Sequence, residues 1–396
     1  MQLALDPARR RTYQPAIHST SLRERLAEEI ESAALDLLDP ERIEMLAEDM
    51  RVIERRRMHH AGLIVGSLIL SAMQRSTDTE GRWLDAQRTY EDLGGAEGGK
   101  TAFRAQVRKL VPVMRELLRR RLCSIAAASA DVELRGRLRA FADVLIPDGS
   151  AFKLAAALSH VYAGTGQPAE FKLHAVYSVR AGGVTKLERT AGSVHDSDGF
   201  RPATWMRDAL YIWDLAFVSH DRFVAAASAG AHVLQRLKTG ANPIVTASYG
   251  PTGAKRDLRR EDGRPLRLND ACAFGDVHRQ HVLDLDVEIT NDAGSTVTAR
   301  VVCVPFGEDR YYLTTLPRAV FTPHDVAELY RIRWEIELFF RGWKGALRLD
   351  EVKRLQHPLS LDAAITASLL AATFAQKITN AVNALERRGA AEAIFP

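Results

Sequence analysis

The chain has 396 residues, enough for two or three domains and a sizeable core. Hydrophobic residues make up 46% and charged residues 26%, a globular balance that excludes disordered, collagen-like and low-complexity classes. Lys plus Arg number 54 against 50 Asp plus Glu, so the formal charge is only +4, and any affinity for nucleic acid has to come from where the charges sit.

The N-terminus is polar and shows no signal peptide. Residues from about 20 to 140 read as helical. Ser21 and Glu24 have capping-box spacing, and apolar residues follow at helical intervals. Ala61 to Met73 is the longest apolar stretch, and its 13 residues are too few to span a bilayer. A helix is expected over Arg82 to Leu93, then a Gly-rich break from Gly94 to Gly99, then a basic helix from Thr101. In that helix Arg104, Arg108, Lys109, Arg115, Arg119, Arg120 and Arg121 oppose only Glu116.

The pattern changes after residue 140. Val144 to Pro147 is a short apolar run ending in Asp148-Gly149-Ser150. Phe171 to Val179 and Val184 to Thr190 read as strands around a turn at Gly182 and Gly183. A helical patch near Pro202 to Arg207 leads to the apolar run Ala209 to Trp213, which ends in Asp214. A helix and a strand around His232 to Leu237 follow. Val282 to Thr290, Thr296 to Val304 and Tyr311 to Leu316 are β-like, and Tyr249 to Asp270 is loop-like and charged. Thr322 as N-cap, Pro323 at the first helical position and Asp325 start a helix expected to run to about Lys344. A last helix from about Leu361, rich in small and apolar residues, reads as packing surface. The expected division is a helical basic part over 1–140, a mixed α/β part over 141–237, a β-rich insertion over 238–320 and a helical part over 321–396.

Four constellations could carry chemistry. Gly94 to Thr101 has the full P-loop spacing, which would make the chain a P-loop NTPase. A P-loop needs a strand before it, and Trp83 to Leu93 has helical spacing, so a turn between two helices is the favoured reading. Asp148 and Asp214 end apolar runs, where strand-end carboxylates can bind a divalent cation or simply start turns. Pro147 fits a central strand poorly. On one continuous helix Tyr330, Arg333, Glu337 and Lys344 would fall within an arc of roughly 60°, and Glu335 would point away. That row is either a solvated face with ion pairs or a functional stripe. Cys272, His278 and His281 lack the spacing and fourth partner of a zinc site. Cys123, Cys272 and Cys303 form no disulfide framework, which fits a reducing, cytoplasmic compartment.

Taken together, Tyr330, Arg333, Glu337 and Lys344, at intervals of two, three and six intervening residues, resemble the Tyr-Arg-Glu-Lys signature of the DDE transposases of bacterial insertion sequences. Asp148-Gly149-Ser150 resembles that family's first-aspartate region, and Ile212 to Phe217 its second. Gln235 to Lys238, with Asn242-Pro243, is similar to the strand after the second aspartate. The resemblance covers about residues 140 to 380. It implies an α/β fold with an RNase H-like catalytic core, a β-rich insertion and a preceding helical domain. It also implies that Asp148, Asp214 and Glu337 are catalytic and hold two Mg²⁺ or Mn²⁺ ions, a pairing suited to phosphodiester chemistry. Arg333 and Lys344 would hold phosphates and Tyr330 would contact the DNA backbone. The implied partners are transposon-end and target DNA and a second copy of the chain in a synaptic dimer. The implied reaction is end cleavage followed by strand transfer. The basic helix, through Arg104, Arg108 and Lys109, would then be a DNA contact, and Lys255, Arg256, Arg259, Arg260, Arg264 and Arg267 a second basic run. The competing functions are the P-loop NTPase and an inactive transposase-derived DNA-binding protein, the latter disfavoured by the presence of all three acids.

Overall fold

The computed structural model describes residues 20–53, 60–74, 79–129, 132–200, 204–238, 240–250, 253–257, 262, 264–273, 282–306, 308–347, 352 and 354–394. Among the described residues five helices come first: α1 (Thr20–Leu38), α2 (Pro40–Asp49), α3 (Ala61–Met73), α4 (Thr79–Asp92) and α5 (Lys100–Ala128). Asp39 starts α2 by accepting from the N–H groups of Glu41 and Arg42, with Pro40 where its missing N–H costs nothing.

The sheet begins with β1 (Val144–Lys153), β2 (Glu170–Ser178) and β3 (Gly183–Ala191). The short helix α6 (Asp196–Gly199), β4 (Leu210–Trp213), α7 (His220–Ser228) and β5 (His232–Arg236) follow. Next come β6 (Ile244–Tyr249), β7 (Lys255–Asp257), β8 (Leu266–Arg267), α8 (Leu268–Ala273), β9 (Leu283–Thr290), β10 (Thr296–Phe306) and β11 (Glu308–Thr314). The chain ends in α9 (Pro323–Arg331), α10 (Trp334–Leu347) and α11 (Pro358–Ile394). Described residues 204–209 hold no helix where a helical patch was expected, and α6 lies just before them.

One sheet of eleven strands runs β3-β2-β1-β4-β5-β11-β10-β9-β6-β7, with β8 beside β6. β2 is antiparallel to β1 and β3, whereas β1, β4 and β5 are mutually parallel, the last two joined through α7. β11 pairs antiparallel with β5, so β6 to β11 prolong the same sheet. Strand alternation sorts the core into two layers. Ile146, Ile212 and Leu234 face the layer covered by the N-terminal helices, α9, α10 and α11. Leu145, Tyr211, Trp213 and Val233 face the other layer, which holds Phe223 and Val224 of α7.

α1, α3 and α5 all pack on α11. By length and composition Pro358–Val382 could cross a membrane, but most of it is buried inside the protein, with Leu361, Ile365 and Leu370 fully covered. It is the central strut of the helical layer. Asp362 of α11 pins that layer by pairing with Arg115 of α5 and Arg189 of β3.

Candidate active site

β1 and β4 pair in parallel at Val144↔Leu210 and Leu145↔Tyr211. Three further residues along each strand bring Asp148 level with Asp214. Alternation turns both to the face of Ile146 and Ile212, toward α9 and α10. β1 does not end at Asp148 as the apolar run suggested: it continues to Lys153, and Asp148 sits mid-strand opposite Ala175 of β2. The hairpin partner keeps pairing after β4 has stopped, so Asp148 is at a strand end only with respect to β4. Pro147 is accommodated at the same place, where the parallel ladder has already ended. Asp214 follows β4 directly and accepts from the Leu215 N–H at 2.7 Å.

Asp148 accepts from the Gly149 N–H at 2.8 Å. Burial is the main force raising its carboxyl to about 6, opposed by that N–H; the charge of Asp214 raises it further and Arg333 lowers it. Two acids side by side, one reluctant to ionise, form a site that favours a positive counter-charge.

That counter-charge comes from a break that the helical wheel did not anticipate. The expected single helix is two. α9 stops at Arg331 and α10 starts at Trp334. The N–H groups of Ile332, Arg333 and Glu335 each bond three residues back, a tight 3₁₀-like closure. Each helix then follows its own surface, α9 along β10 and β5, α10 along β1 and α11. The 60° arc therefore does not apply, yet Arg333 and Glu337 still meet. Arg333 Nη2 donates to Glu337 Oε1 at 2.5 Å, and its Nη1 lies 4.0 Å from Asp214 Oδ2.

Tyr330 is packed rather than presented. It is 8% exposed, its ring lies 5.1 Å from that of Tyr312, and its hydroxyl is buried with no hydrogen-bond partner among the described residues. Burial pushes its phenol up to about 12, so it stays a neutral donor. Lys344 belongs to α10, and its side chain lies outside the described residues. Glu335 is exposed and acts electrostatically on Tyr177 of β2. His278 and His281 lie outside the described residues, as does the Cys272 side chain.

Among the described residues no three His, Cys, Asp or Glu side chains converge closely enough to hold a metal ion, and the Arg333 guanidinium lies between Asp214 and Glu337. The chemistry of the donor set nonetheless fits a hard divalent ion. All three acids offer carboxylate oxygens, with no sulfur or imidazole among them.

The description "Transposase DDE domain" matches residues 139–371, more than half of the chain and the stretch that contains all three acids. This chain belongs to the DDE transposase family. It is 21% identical to the transposase for insertion sequence element IS231F of Bacillus thuringiensis subsp. israelensis, over 81% of this chain and 73% of that one. It is 20% identical to the transposase for IS1151 of Clostridium perfringens, over 56% of this chain and 54% of the relative. A local match of 45% over 60 residues links it to the putative transposase InsL for IS186A of Escherichia coli, 15% of this chain and 16% of that one. Among solved structures, the piggyBac transposase synaptic complex with hairpin DNA aligns with a TM-score of 0.38 and 8% identity, over 91% of this chain and 81% of that one. The protein is thus a DNA transposase, an enzyme of DNA cleavage and strand transfer that depends on a divalent metal, generally Mg²⁺ or Mn²⁺.

The P-loop spacing in this transposase is a turn. Gly94 to Gly99 joins α4 to α5, and among the described residues no strand precedes it. The N–H groups of Gly94, Gly95 and Ala96 bond back to Glu91, to the Tyr90 carbonyl and to the Tyr90 hydroxyl. Three N–H groups at the start of the loop are tied to the end of α4.

The basic helix is less free than its composition suggested. Arg104 pairs with Glu80 at 2.5 Å, Arg108 donates to Ser360 of α11 at 2.8 Å, and Arg115 pairs with Asp362. Arg119 and Arg120 share Glu116, and Arg121 is buried. Partners distant in sequence supply the anions that the local count of one Glu missed. Lys109 remains exposed.

Sequence reading also passed over a group behind Asp148. Asp196 of α6 and His174 of β2 lie against Gly149, and Lys172 of β2 pairs with Asp196. Lys172 and His174 on β2 stand more than twenty residues from Asp196 on α6 in sequence, so no local spacing links them.

Proposed function

We propose that this transposase cuts at the ends of an insertion element and joins them to target DNA using Asp148, Asp214 and Glu337 as its catalytic carboxylates. The observation that carries the reading is the bridge made by Arg333 between Glu337 and Asp214, with Asp148 level with Asp214 on the neighbouring strand. Asp148, Asp214 and Glu337 would hold two divalent ions. Such ions supply Lewis-acid activation of the attacking oxygen and charge neutralisation at the leaving oxygen. Strand order β3-β2-β1-β4-β5, antiparallel only at β2, supports an RNase H-like core over 141–237 and 321–396, with 238–320 inserted and 1–140 as a helical part.

The spacing of Tyr330, Arg333, Glu337 and Lys344 supports the Tyr-Arg-Glu-Lys subgroup. Arg333 is the residue that would exchange a carboxylate for a DNA phosphate, since its planar fork suits both. Tyr330 stays neutral and would donate its hydroxyl to a phosphate oxygen; Lys344 would add a point charge. Arg104, Arg108 and Lys109 are the proposed outer phosphate contacts, with Lys109 the freest of the three. A dimer holding two ends, and residence in the cytoplasm on the nucleoid, complete the reading.

The test uses purified protein, Mg²⁺ and a duplex carrying the element's native boundary. Nicks at that boundary, absent without Mg²⁺ and absent in Asp214→Asn, are expected. Boundary nicking by Asp214→Asn at the wild-type rate would refute the assignment.

A further inference from the structure

We propose that Asp196 is a positioning residue for Asp148, acting through a notch in β1 at Gly149 and held there by Lys172 and His174. The inference rests on the reading of Asp148 as a metal-holding carboxylate.

β1 has an unusual mechanical problem at this point. Its ladder to β4 ends at Leu145, so from Ile146 onward the strand is hydrogen-bonded along the β2 side only. A carboxylate that must meet an ion to within about 0.5 Å needs a backbone fixed better than that. The second constraint comes from the opposite face. Gly149 points its α-hydrogens toward α6, and a Cβ there would lie 2.4 Å from Asp196 Oδ1 and 3.5 Å from His174 Nδ1. The Asp196 carboxylate therefore occupies the volume that a side chain at 149 would take, directly behind the peptide that follows Asp148.

The carboxylate is itself gripped. Lys172 Nζ lies 3.4 Å from Asp196 Oδ1 and also donates to the Val194 carbonyl at 2.9 Å, tying β2 to the segment before α6. His174 is the cross-strand partner of Gly149, 4% exposed, with Nε2 2.7 Å from Thr190 Oγ1 of β3 and Nδ1 3.9 Å from Asp196 Oδ1. Gly199, the last residue of α6, lies flat on the imidazole, where a Cβ would come within 2.3 Å of the ring. Both His174 Nδ1 and Asp196 Oδ1 are buried without a hydrogen bond among the described residues. A polar cluster that forgoes hydrogen bonds to sit against a glycine is held there by shape and by the Lys172 charge. Asp196 lies on the other face of β1 from Asp148, so it supports that residue and does not join it as a ligand.

The experiment is Mn²⁺ binding to the full chain, read from the electron paramagnetic resonance signal of free Mn²⁺, with thermal unfolding recorded for every variant. Outer-shell partners of metal ligands usually change affinity by about 10–100-fold. Asp196→Ala is expected to weaken Mn²⁺ by about tenfold with little change in Tm. Gly149→Ala should weaken it at least as much, by displacing Asp196. The double variant should match Asp196→Ala alone, because the clash has lost its partner; a multiplied loss would contradict the notch. Lys172→Met, which keeps the stem and removes the grip, should give a smaller loss and serves if Asp196→Ala does not fold. Wild-type affinity in folded Asp196→Ala, or in Lys172→Met when Asp196→Ala is unfolded, overturns the proposal. Asp148→Asn is the control for the reading beneath it. If Asp148→Asn binds Mn²⁺ as tightly as wild type, the metal assignment falls; if only the Asp196, Gly149 and Lys172 variants bind normally, the positioning role falls alone.

Discussion

Arg333 and Glu337 are joined by a charge-assisted hydrogen bond of 2.5 Å across the first turn of α10, and the same guanidinium lies 4.0 Å from Asp214. A cation of the protein thus neutralises two of the three acids. The arrangement keeps like charges from repelling one another in a half-buried site, and it sets the guanidinium in competition with any divalent ion.

That competition predicts opposite effects of one substitution. Arg333→Gln should bind Mn²⁺ more tightly, by about tenfold or more, because a unit charge 4 Å away is worth several kcal/mol even at an effective dielectric of about 20. The same variant should bind and cut DNA ends less well. Titration calorimetry with Mn²⁺ and a gel-shift series with end DNA separate the two. Weaker Mn²⁺ binding would mean that Arg333 organises the acids rather than competing for them.

Asp148 makes the metal-free protein less stable as pH rises. Its carboxyl sits near 6 in the fold, mainly through burial, against an ordinary 3.8. Between those values the folded chain holds more protons than the unfolded one, so stability falls as pH rises through that window and levels off above it. Asp148→Asn should remove this dependence and raise stability at pH 7.5 by about 1–3 kcal/mol. Urea unfolding in EDTA at pH 5 and 7.5 measures it; a variant less stable than wild type at pH 7.5 would contradict the burial argument.

Asp362 should matter for stability. It is 2% exposed and pairs with Arg115 and Arg189, joining α5, β3 and α11. Removing one member of a buried ion group leaves uncompensated charge, so Asp362→Ala should cost about 3 kcal/mol. Arg189→Met in that background should recover part of the loss, and the shift in the urea midpoint is the readout.

Lys100→Ala should cut DNA at the wild-type rate with no nucleotide present, and equilibrium dialysis should find no ATP bound at millimolar concentration. The helix that leads into the Gly94 turn, where a P-loop needs a buried strand, is the reason.

Much of this was written in local patterns and some of it was not. Alternation marks β9, β-branched and aromatic content marks β10, strand-like runs around the Gly182-Gly183 turn mark β2 and β3, and the Thr322, Pro323 and Asp325 cap marks the start of α9. Residue spacing named Arg333 and Glu337, although the straight helix that made them neighbours is interrupted at Ile332. A break set by two different packing surfaces leaves no trace in a seven-residue window. Nor does the mid-strand position of Asp148, since the hairpin to β2 continues where the apolar run stops. The free charge of the Arg104 to Arg121 helix was overstated for the same reason: Glu80, Ser360 and Asp362 come from elsewhere in the chain.

The central claim, that Glu337 completes the catalytic set with Asp148 and Asp214, is tested most directly by two amide substitutions on one helix. Glu337→Gln and Glu335→Gln carry the same chemical change two residues apart, and only Glu337 meets Arg333. With Mg²⁺ and boundary DNA, Glu337→Gln should show no cleavage while still binding DNA. Glu335→Gln should cleave within about tenfold of wild type, a difference of about 1.4 kcal/mol in barrier. A dead Glu335→Gln beside an active Glu337→Gln would contradict the account.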